Sequence, residues 1–269
     1  MPRQLCDHSL SYNKKKKWGG IMKGVVFTGE RNVALMDFPD PTPGPGEVVL
    51  EIKASGMCGS DLKFYRPPAG EAIRALGLGS DITVIAGHEP CGVVAEIGPG
   101  VDPTFVRIGQ RVMVHHYTGC GHCPHCSTGW MQLCVDGVKE VYGVTGHGAH
   151  ARYMKVLAST LVPLHESLSF ATGAAISCGT GTAWGALHRL GLQGDQTIAV
   201  FGQGPVGLAA TQLARTMGSR VIALDVNDER LRRAQKFGAD VCINPVHVSN
   251  VVDAIKDVTG GLGAHATLD

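Results

Sequence analysis

Several features that would place this 269-residue chain in a special class are missing from it. No stretch approaches about eighteen uninterrupted apolar residues, so the sequence predicts no membrane span. The N-terminal stretch lacks the apolar region of a secretory signal peptide. The formal net charge is only +1, so composition indicates no attraction to nucleic acid or to an acidic membrane surface. We therefore expect a cytoplasmic protein that binds neither nucleic acid nor membrane.

Glycine and cysteine, in contrast, are abundant. The 37 glycines suit tight turns and close backbone contact with a ligand. Nine cysteines without a signal peptide indicate metal or redox chemistry inside a cell. Hydrophobic residues make up 44% of the chain, which is enough for the cores of one large or two ordinary domains.

The first 21 residues differ from the rest of the chain. Their run Lys14 to Lys17 is typical of a solvated, disordered tail rather than of a localisation signal. Strand-like sequence begins at Met22, and we expect Met22 to be the natural start, with residues 1–21 not native.

The hydrophobic pattern predicts an α/β protein with two domains. Over residues 22–175, short apolar runs such as 48–56, 91–98 and 111–116 are broken by Gly and Pro, which predicts an irregular antiparallel β domain. Over residues 176–269, strands at 197–202, 220–226, 240–244 and 265–269 alternate with helices at 205–218, 228–238 and 249–260. Such alternation predicts a doubly wound parallel sheet. Because these sheets usually have six strands, we expect the chain to stop before the fold is complete.

Four cysteines lie close together in the segment CGHCPHCSTGWMQLC, at Cys120, Cys123, Cys126 and Cys134. Four thiolates at this spacing can surround one tetrahedral zinc ion and close its coordination shell, as in structural sites. Disulfides are the alternative, and a reducing compartment disfavours them. His122 and His125 could compete as ligands, but we interpret them as solvated loop residues.

A G-x-G-x-x-G pattern separates the first strand and helix of the second region. Its residues are Gly202, Gln203, Gly204, Pro205, Val206 and Gly207. Asp225 ends the next strand, where it can accept hydrogen bonds from ribose hydroxyls and would repel a 2′-phosphate. The pattern therefore predicts a site for NAD rather than NADP. The alternative is a glycine turn beside a surface aspartate.

Two further short motifs are Cys58-Gly59-Ser60-Asp61 and Gly87-His88-Glu89. The chain carries these two motifs, then the cysteine segment, then the nucleotide pattern. With this order of motifs, residues Met22 to Asp269 resemble the zinc-dependent medium-chain alcohol dehydrogenases. The two motifs look more like the polyol and threonine dehydrogenase branch than the ethanol branch. The resemblance implies a GroES-like catalytic domain and a Rossmann domain, one catalytic and one structural zinc, bound NAD, and, for the full-length family, a homo-oligomer.

The resemblance also implies roles for individual residues. Cys58 and His88 look like catalytic zinc ligands, and Cys178 falls where many members supply a third. Glu89 resembles a glutamate that can coordinate the metal during ligand exchange. The resemblance implies that Asp61 is a carboxylate that orients the ligating histidine. It also implies that the Ser60 hydroxyl takes the substrate proton and that Thr182 lies near the nicotinamide.

Some of these assignments have alternatives. Cys58 and Cys178 could be small buried hydrophobic residues, and His88 a core histidine. Arg152 stands where the polyol branch often has a glutamate ligand, which favours Cys178 as the third ligand and weakens an assignment to sorbitol. Lys63 stands where some members have a relay histidine. We interpret His115, His116, His147 and His150 as ordinary polar residues.

The reaction that the resemblance implies is hydride transfer between NAD and a small alcohol. A secondary alcohol, a polyol or an amino alcohol such as threonine fits. One alternative is a zinc-free quinone or enoyl reductase, a class that typically lacks both the cysteine segment and Gly-His-Glu. The other is a catalytically incompetent, zinc-stabilised NAD-binding fragment, an alternative raised by the ending at Asp269.

Overall fold

A computed structural model describes residues 19–75, 83–137 and 140–269. The chain divides into two compact units, Met1–Ala174 and Ala175–Asp269. The expected domain limits at 175 and 176 stay predictions, as does the expected disordered leader, whose residues 1–18 lie outside the described part. Among the described residues, no helix combines the length and the apolar character needed to cross a membrane.

The first unit is built mainly from strands. They are β1 (Ile21–Gly29), β2 (Asn32–Pro39), β3 (Glu47–Gly56), β4 (Glu89–Ile97), β5 (Arg111–Val114), β6 (Tyr117–Thr118), β7 (Glu140–Val141), β8 (Tyr153–Leu157) and β9 (Leu161–Pro163). The helices are α1 (Leu62–Tyr65), α2 (Glu71–Ala75), α3 (Pro124–Ser127) and α4 (Phe170–Ala175), with 3₁₀ turns at Gly59–Asp61, Met131–Leu133 and Ala158–Thr160.

An antiparallel five-stranded sheet in the order β8-β3-β4-β5-β9 forms the centre of this unit. Val48 and Leu50 of β3, Val94 of β4, and Met154 and Val156 of β8 are almost fully buried in one core. Their burial follows from the apolar runs in the sequence, because such runs must be covered on folding.

A second sheet of the first unit is the hairpin of β1 and β2. Its two turn residues have positive φ, +51° at Glu30 and +64° at Arg31, although neither is glycine. Their amides donate to the carbonyl oxygens of Pro67 (2.8 Å) and Tyr65 (2.7 Å), respectively. These hydrogen bonds hold a backbone conformation that L-residues disfavour.

The second unit alternates strands and helices. The strands are β10 (Thr197–Phe201), β11 (Arg220–Leu224), β12 (Val241–Ile243) and β13 (Ala266–Leu268). The helices are α5 (Gly181–Leu190), α6 (Pro205–Thr216), α7 (Asp228–Lys236) and α8 (Val251–Asp257), with a π turn at Ile176–Thr180 and a 3₁₀ turn at Pro245–His247. All pairings are parallel, in the order β12-β11-β10-β13.

Both faces of this parallel sheet are covered. Ile198 and Val200 of β10 pack in one cluster with residues of α5 and α6, whereas Ala199 packs in another cluster with Ile222 and with Ile255 of α8. Successive residues of a strand point to opposite faces, so helices on both sides bury the whole strand. The predicted fold class, a β domain followed by a doubly wound parallel sheet, is confirmed.

The hairpin turn yields a prediction about stability. We expect Arg31→Gly to raise the free energy of unfolding by about 1 kcal/mol, because glycine removes the steric cost of positive φ. Urea unfolding, compared at unchanged m-value, measures the effect. Arg232→Gly, in the interior of α7, is the control and is expected to lower stability by about 1 kcal/mol. An Arg31→Gly protein no more stable than the parent would contradict the prediction.

Candidate metal centres and nucleotide site

The four cysteines of the segment CGHCPHCSTGWMQLC converge in the first unit. We call Cys120, Cys123, Cys126 and Cys134 the cysteine lobe. Cys123 precedes α3, Cys126 lies within it, and Cys134 follows the 3₁₀ turn Met131–Leu133. Their Sγ atoms all lie within 4.8 Å of one another. No disulfide joins any of the cysteines that the structure describes.

Backbone amides point at the sulfur atoms of the lobe. The amides of Cys120, Cys123 and Cys126 donate to Cys134 Sγ (3.3 Å), Cys120 Sγ (3.3 Å) and Cys123 Sγ (3.5 Å), respectively. The donors at Cys126 and Val135 lower the pKa of the Cys123 thiol to about 6. Such donors stabilise thiolates, which are the form that binds metal.

The separations also fit zinc. A Zn–S bond of about 2.3 Å in a tetrahedron requires sulfur atoms about 3.8 Å apart. The Cys120 and Cys126 sulfur atoms are 3.9 Å apart. His122 is exposed, and its Nδ1 donates to the Cys120 carbonyl oxygen (2.9 Å). His125 is exposed as well, so four sulfur ligands suffice for the lobe.

A second cluster joins Cys58, His88 and Glu89, and we call it the mixed centre. Cys58 follows β3, and His88 and Glu89 stand where β4 begins. The antiparallel pairing of β3 with β4 ends at Gly56 opposite Glu89, which brings the three side chains together. Their ligand atoms lie within 4.8 Å of one another, and His88 and Glu89 are buried.

Asp61 orients the histidine of the mixed centre. Its Oδ1 lies 2.9 Å from His88 Nδ1, and its Oδ2 accepts the Cys58 amide at 2.8 Å. The Nδ1 proton thus faces a carboxylate, and Nε2 keeps its lone pair as a ligand atom. Ser60 Oγ is 3.3 Å from that Nε2 and belongs to an exposed side chain.

The surroundings shift the pKa values of two of these groups. Burial acts to raise the pKa of the Cys58 thiol, but hydrogen bonds from Ser60 and the nearby His88 outweigh it, and the net shift is downward. Burial raises the pKa of Glu89. A thiol with a lowered pKa, an imidazole Nε2 and a carboxyl are donors that zinc accepts, so the residues fit a zinc ion with a position left open.

Two histidines beside the mixed centre were missed by the sequence interpretation. The His116 ring is buried and lies edge-on to the His88 ring, with centroids 5.1 Å apart. His150 is partly buried, and its Nδ1 is 2.8 Å from Ser55 Oγ. Neither is an ordinary polar surface residue. The HHY run directly after β5 is a signal that could have placed His116 near the site. The sequence near His150 contains no signal that indicates its partner.

The glycine pattern of the second unit forms a tight turn between β10 and α6. Gly202 has φ of +77°, and a Cβ at Gly207 would overlap the Gly202 carbonyl oxygen. Gly204 caps α6, and Pro205 occupies its first turn. The turn thus leaves the first amides of α6 for a ligand, an arrangement that suits phosphate.

Asp225 lies directly after β11, beside this turn. Its Oδ2 accepts the Gln203 amide (2.6 Å) and its Oδ1 the Asn227 amide (2.8 Å), while Arg230 Nη1 is 3.5 Å away. Burial acts to raise the pKa of Asp225, but these amides and Arg230 lower it on balance. The carboxylate therefore stays ionised as an acceptor.

Three other predicted residues belong to the second unit. Val206 lies in α6, Thr182 is exposed on α5, and Cys178 lies in the π turn Ile176–Thr180. Single π turns within helices are frequent at functional sites. Their assigned roles stay predictions.

Two known sequence families match the chain. The alcohol dehydrogenase GroES-like domain matches residues 44–166, and the zinc-binding dehydrogenase family matches residues 205–269. An uncharacterized zinc-type alcohol dehydrogenase-like protein of Escherichia coli is 37% identical over 253 residues, 92% of this chain and 70% of the relative. An alcohol dehydrogenase of Geobacillus stearothermophilus is 34% identical over 245 residues, 91% of this chain and 68% of the relative.

Solved structures show the same likeness. Acetophenone reductase from Geotrichum candidum in complex with NAD has a TM-score of 0.73 and 32% identity, covering 85% of this chain and 64% of that protein. The cobalt- and zinc-bound thermostable alcohol dehydrogenase from Pyrobaculum aerophilum has a TM-score of 0.73 and 31% identity, covering 84% of this chain and 67% of that protein.

The cysteine lobe yields a prediction about metal content. We expect Cys123→Ser to lose one zinc ion per chain and to unfold at a lower temperature, because metal binding contributes to folding. Elemental analysis and calorimetry measure the two effects. Cys242→Ser is the control, since Cys242 belongs to neither metal cluster. Full zinc content in Cys123→Ser would contradict a four-sulfur site.

The environment of Asp225 yields a prediction about pH. Because its folded pKa is lowered, its contribution to stability is present above the ordinary Asp pKa of about 3.9 and is lost as pH falls through the lowered value. We therefore expect Asp225→Asn to unfold with less pH dependence than the parent below pH about 4. Denaturant unfolding across acidic pH measures this, and identical pH profiles would refute it.

Proposed function

The chain belongs to the zinc-dependent medium-chain alcohol dehydrogenase family, and we propose that it transfers a hydride between NAD and a small secondary alcohol, polyol or amino alcohol such as threonine. The observation that carries this proposal is the mixed centre. Cys58 and His88 offer a thiolate and an imidazole within 4.8 Å of each other, and Asp61 orients the imidazole. These donors suit a catalytic zinc, which keeps one coordination position for water or substrate.

Zinc, when bound there, supplies a Lewis acid that makes a hydroxyl group more acidic. We assign Cys58 and His88 as its ligands, Cys178 as the third protein ligand, and Glu89 as a carboxylate that can coordinate during ligand exchange. The position of Glu89 suits that role, because its buried carboxyl group places an oxygen within 4.8 Å of the ligand atoms of Cys58 and His88. The position of Cys178 in this assignment rests on the family resemblance.

Ser60 is the residue that we assign to the substrate proton. Its hydroxyl lies 3.3 Å from His88 Nε2, the atom that we assign to the metal, so it stands beside the ligand set. Its side chain is also exposed, which provides a route for the proton toward solvent. Asp61 holds the Nδ1 proton of His88 and keeps the ring in the orientation that binding requires.

The second unit holds the hydride acceptor. NAD, when bound, supplies the nicotinamide that takes the hydride. We propose that the amides at the start of α6 bind the pyrophosphate, that Asp225 accepts the ribose hydroxyls, and that Thr182 lies near the nicotinamide. The ionised carboxylate of Asp225 favours NAD over NADP, since it would repel a 2′-phosphate.

The substrate class rests on the two short motifs of the first unit. Cys-Gly-Ser-Asp and Gly-His-Glu resemble the polyol and threonine dehydrogenase branch. Arg152, which stands at the position of that branch's glutamate ligand, is exposed and lies 4.0 Å from Glu51. A cation cannot replace a carboxylate ligand, so sorbitol is disfavoured among the polyols. We also propose a cytoplasmic location, because the cysteine lobe fits a metal site, whose ligands are thiolates, and the cytoplasm keeps thiols reduced.

The ligand assignment yields a prediction about activity. We expect Cys58→Ser to abolish alcohol oxidation while NAD binding stays measurable, because the nucleotide residues lie in the other unit. NADH formation followed by absorbance, together with NAD binding by calorimetry, measures both. The control is again Cys242→Ser, which is expected to keep the parent's activity.

The substrate proposal is tested on the same zinc-loaded protein with 2-propanol, 2,3-butanediol, sorbitol and L-threonine. Oxidation of 2-propanol, 2,3-butanediol or L-threonine supports the proposal. Near-normal activity of Cys58→Ser would refute the metal assignment. A parent protein that holds two zinc ions and NAD but oxidises none of the four would refute the substrate class.

A further inference from the structure

The peptide that carries His88 is enclosed on several sides. Gly87 has φ of +95°, and a Cβ there would lie 2.6 Å from His150 Nδ1. On another side, a Cβ at Gly143 would lie 2.6 Å from the Gly87 carbonyl carbon. The His150 ring therefore rests directly on the residue before His88, and only glycine fits between them.

The main chain around His150 is fixed as well. Its amide donates to the Ala86 carbonyl oxygen (2.8 Å), and the neighbouring Ala149 amide donates to the Gly87 carbonyl oxygen (2.8 Å). The His150 carbonyl oxygen accepts the Val25 amide (3.0 Å). Because both the amide and the carbonyl group of His150 are hydrogen-bonded, its backbone is fixed and only the direction of its ring can vary.

Ser55 sets that direction. Its Oγ lies 2.8 Å from His150 Nδ1, and Ser55 pairs with Pro90 of β4. Phe27 contacts the ring from a further side, edge-on, with centroids 6.3 Å apart. Burial lowers the pKa of His150, so the ring adds no positive charge near the ligand histidine.

Ser55 is also three residues before Cys58 on the same strand end. The Ser55–His150 hydrogen bond therefore links the segment that carries Cys58 with the peptide that carries His88. Neither residue donates an atom to the cluster, and neither has been given a role by the resemblance or by the proposed function.

We propose that Ser55 and His150 are positioning residues of the mixed centre, whose hydrogen bond sets the distance and direction between Cys58 Sγ and His88 Nε2. The inference rests on the metal assignment of the proposed function. Partners that orient ligands without touching the metal typically change metal affinity by about 10- to 100-fold when removed.

The test uses cobalt(II) as the probe and the full chain as the protein. Ser55→Ala removes the hydrogen bond. His150→Phe removes it but keeps a ring against Gly87, whereas His150→Asn keeps a hydrogen-bonding atom at the δ position but removes the ring. Cobalt bound at the mixed centre is followed by its visible absorption, and the cysteine lobe provides a second metal site as an internal measure of folding.

We expect Ser55→Ala and His150→Phe to bind cobalt at the mixed centre about 10- to 100-fold more weakly, with an altered absorption spectrum and an unchanged lobe. His150→Asn is expected to recover part of the affinity. The matched controls are Ser167→Ala and His165→Phe, which break a similar pair (Nδ1 to Oγ, 2.8 Å) on the exposed surface. Both are expected to behave as the parent.

Three outcomes would overturn the inference. One is parent-like cobalt affinity and spectrum in Ser55→Ala and His150→Phe. Another is weaker cobalt binding at the mixed centre in His150→Asn with parent-like binding in His150→Phe, which would show that the ring acts by packing and not by its hydrogen bond. The third is a parent chain that binds metal only at the lobe, which would overturn the metal assignment too. A parent chain that binds metal at both the mixed centre and the lobe but oxidises no alcohol would refute only the proposed reaction. The inference would stand, since the cobalt-affinity measurement does not depend on turnover.

Discussion

The antiparallel pairing of β3 with β4 is the contact on which the mixed centre depends. Cys58 and His88 are far apart along the chain, and they meet because this pairing runs to Gly56 opposite Glu89. The pairing is irregular between Val49 and Leu50 and again between Ile52 and Ala54, and such irregularities redirect the side chains that follow. A slip of one residue would move every side chain of the strand to the opposite face, so the core residues that hold the register also hold the ligands in place.

Both units place backbone amide donors next to acceptor groups that belong to the candidate sites. In the cysteine lobe, backbone amides donate to sulfur, and the pKa of Cys123 is lowered to about 6. Asp61 accepts the Cys58 amide and faces His88, while Asp225 accepts the amides of Gln203 and Asn227. Amide donors stabilise an anion without adding a competing ion, so the group remains available to a metal or a hydroxyl. The surrounding backbone therefore supplies hydrogen-bond donors to each candidate site.

Much of the fold could be predicted because short stretches of sequence indicate individual strands and helices. The strand predicted at 197–202 and the helix predicted at 205–218 correspond to β10 and α6, since hydrophobic periodicity indicates both elements. The order of the five-stranded sheet could not be predicted, because β8 pairs with β3 and β9 with β5 across long stretches of chain. The same limit explains His150: its partner Ser55 is 95 residues away, and no spacing rule connects them.

The sequence by itself determined the cysteine lobe and the nucleotide turn, because in each the chemistry lies within a short segment. Four thiols in fifteen residues, or glycines before a helix, converge through turns that the segment itself specifies. Only the tertiary structure decided the position of the His116 ring against His88 and the support of Gly87 by His150. These contacts join segments that meet through sheet pairing and core burial, and such long-range packing leaves no periodic pattern in the chain.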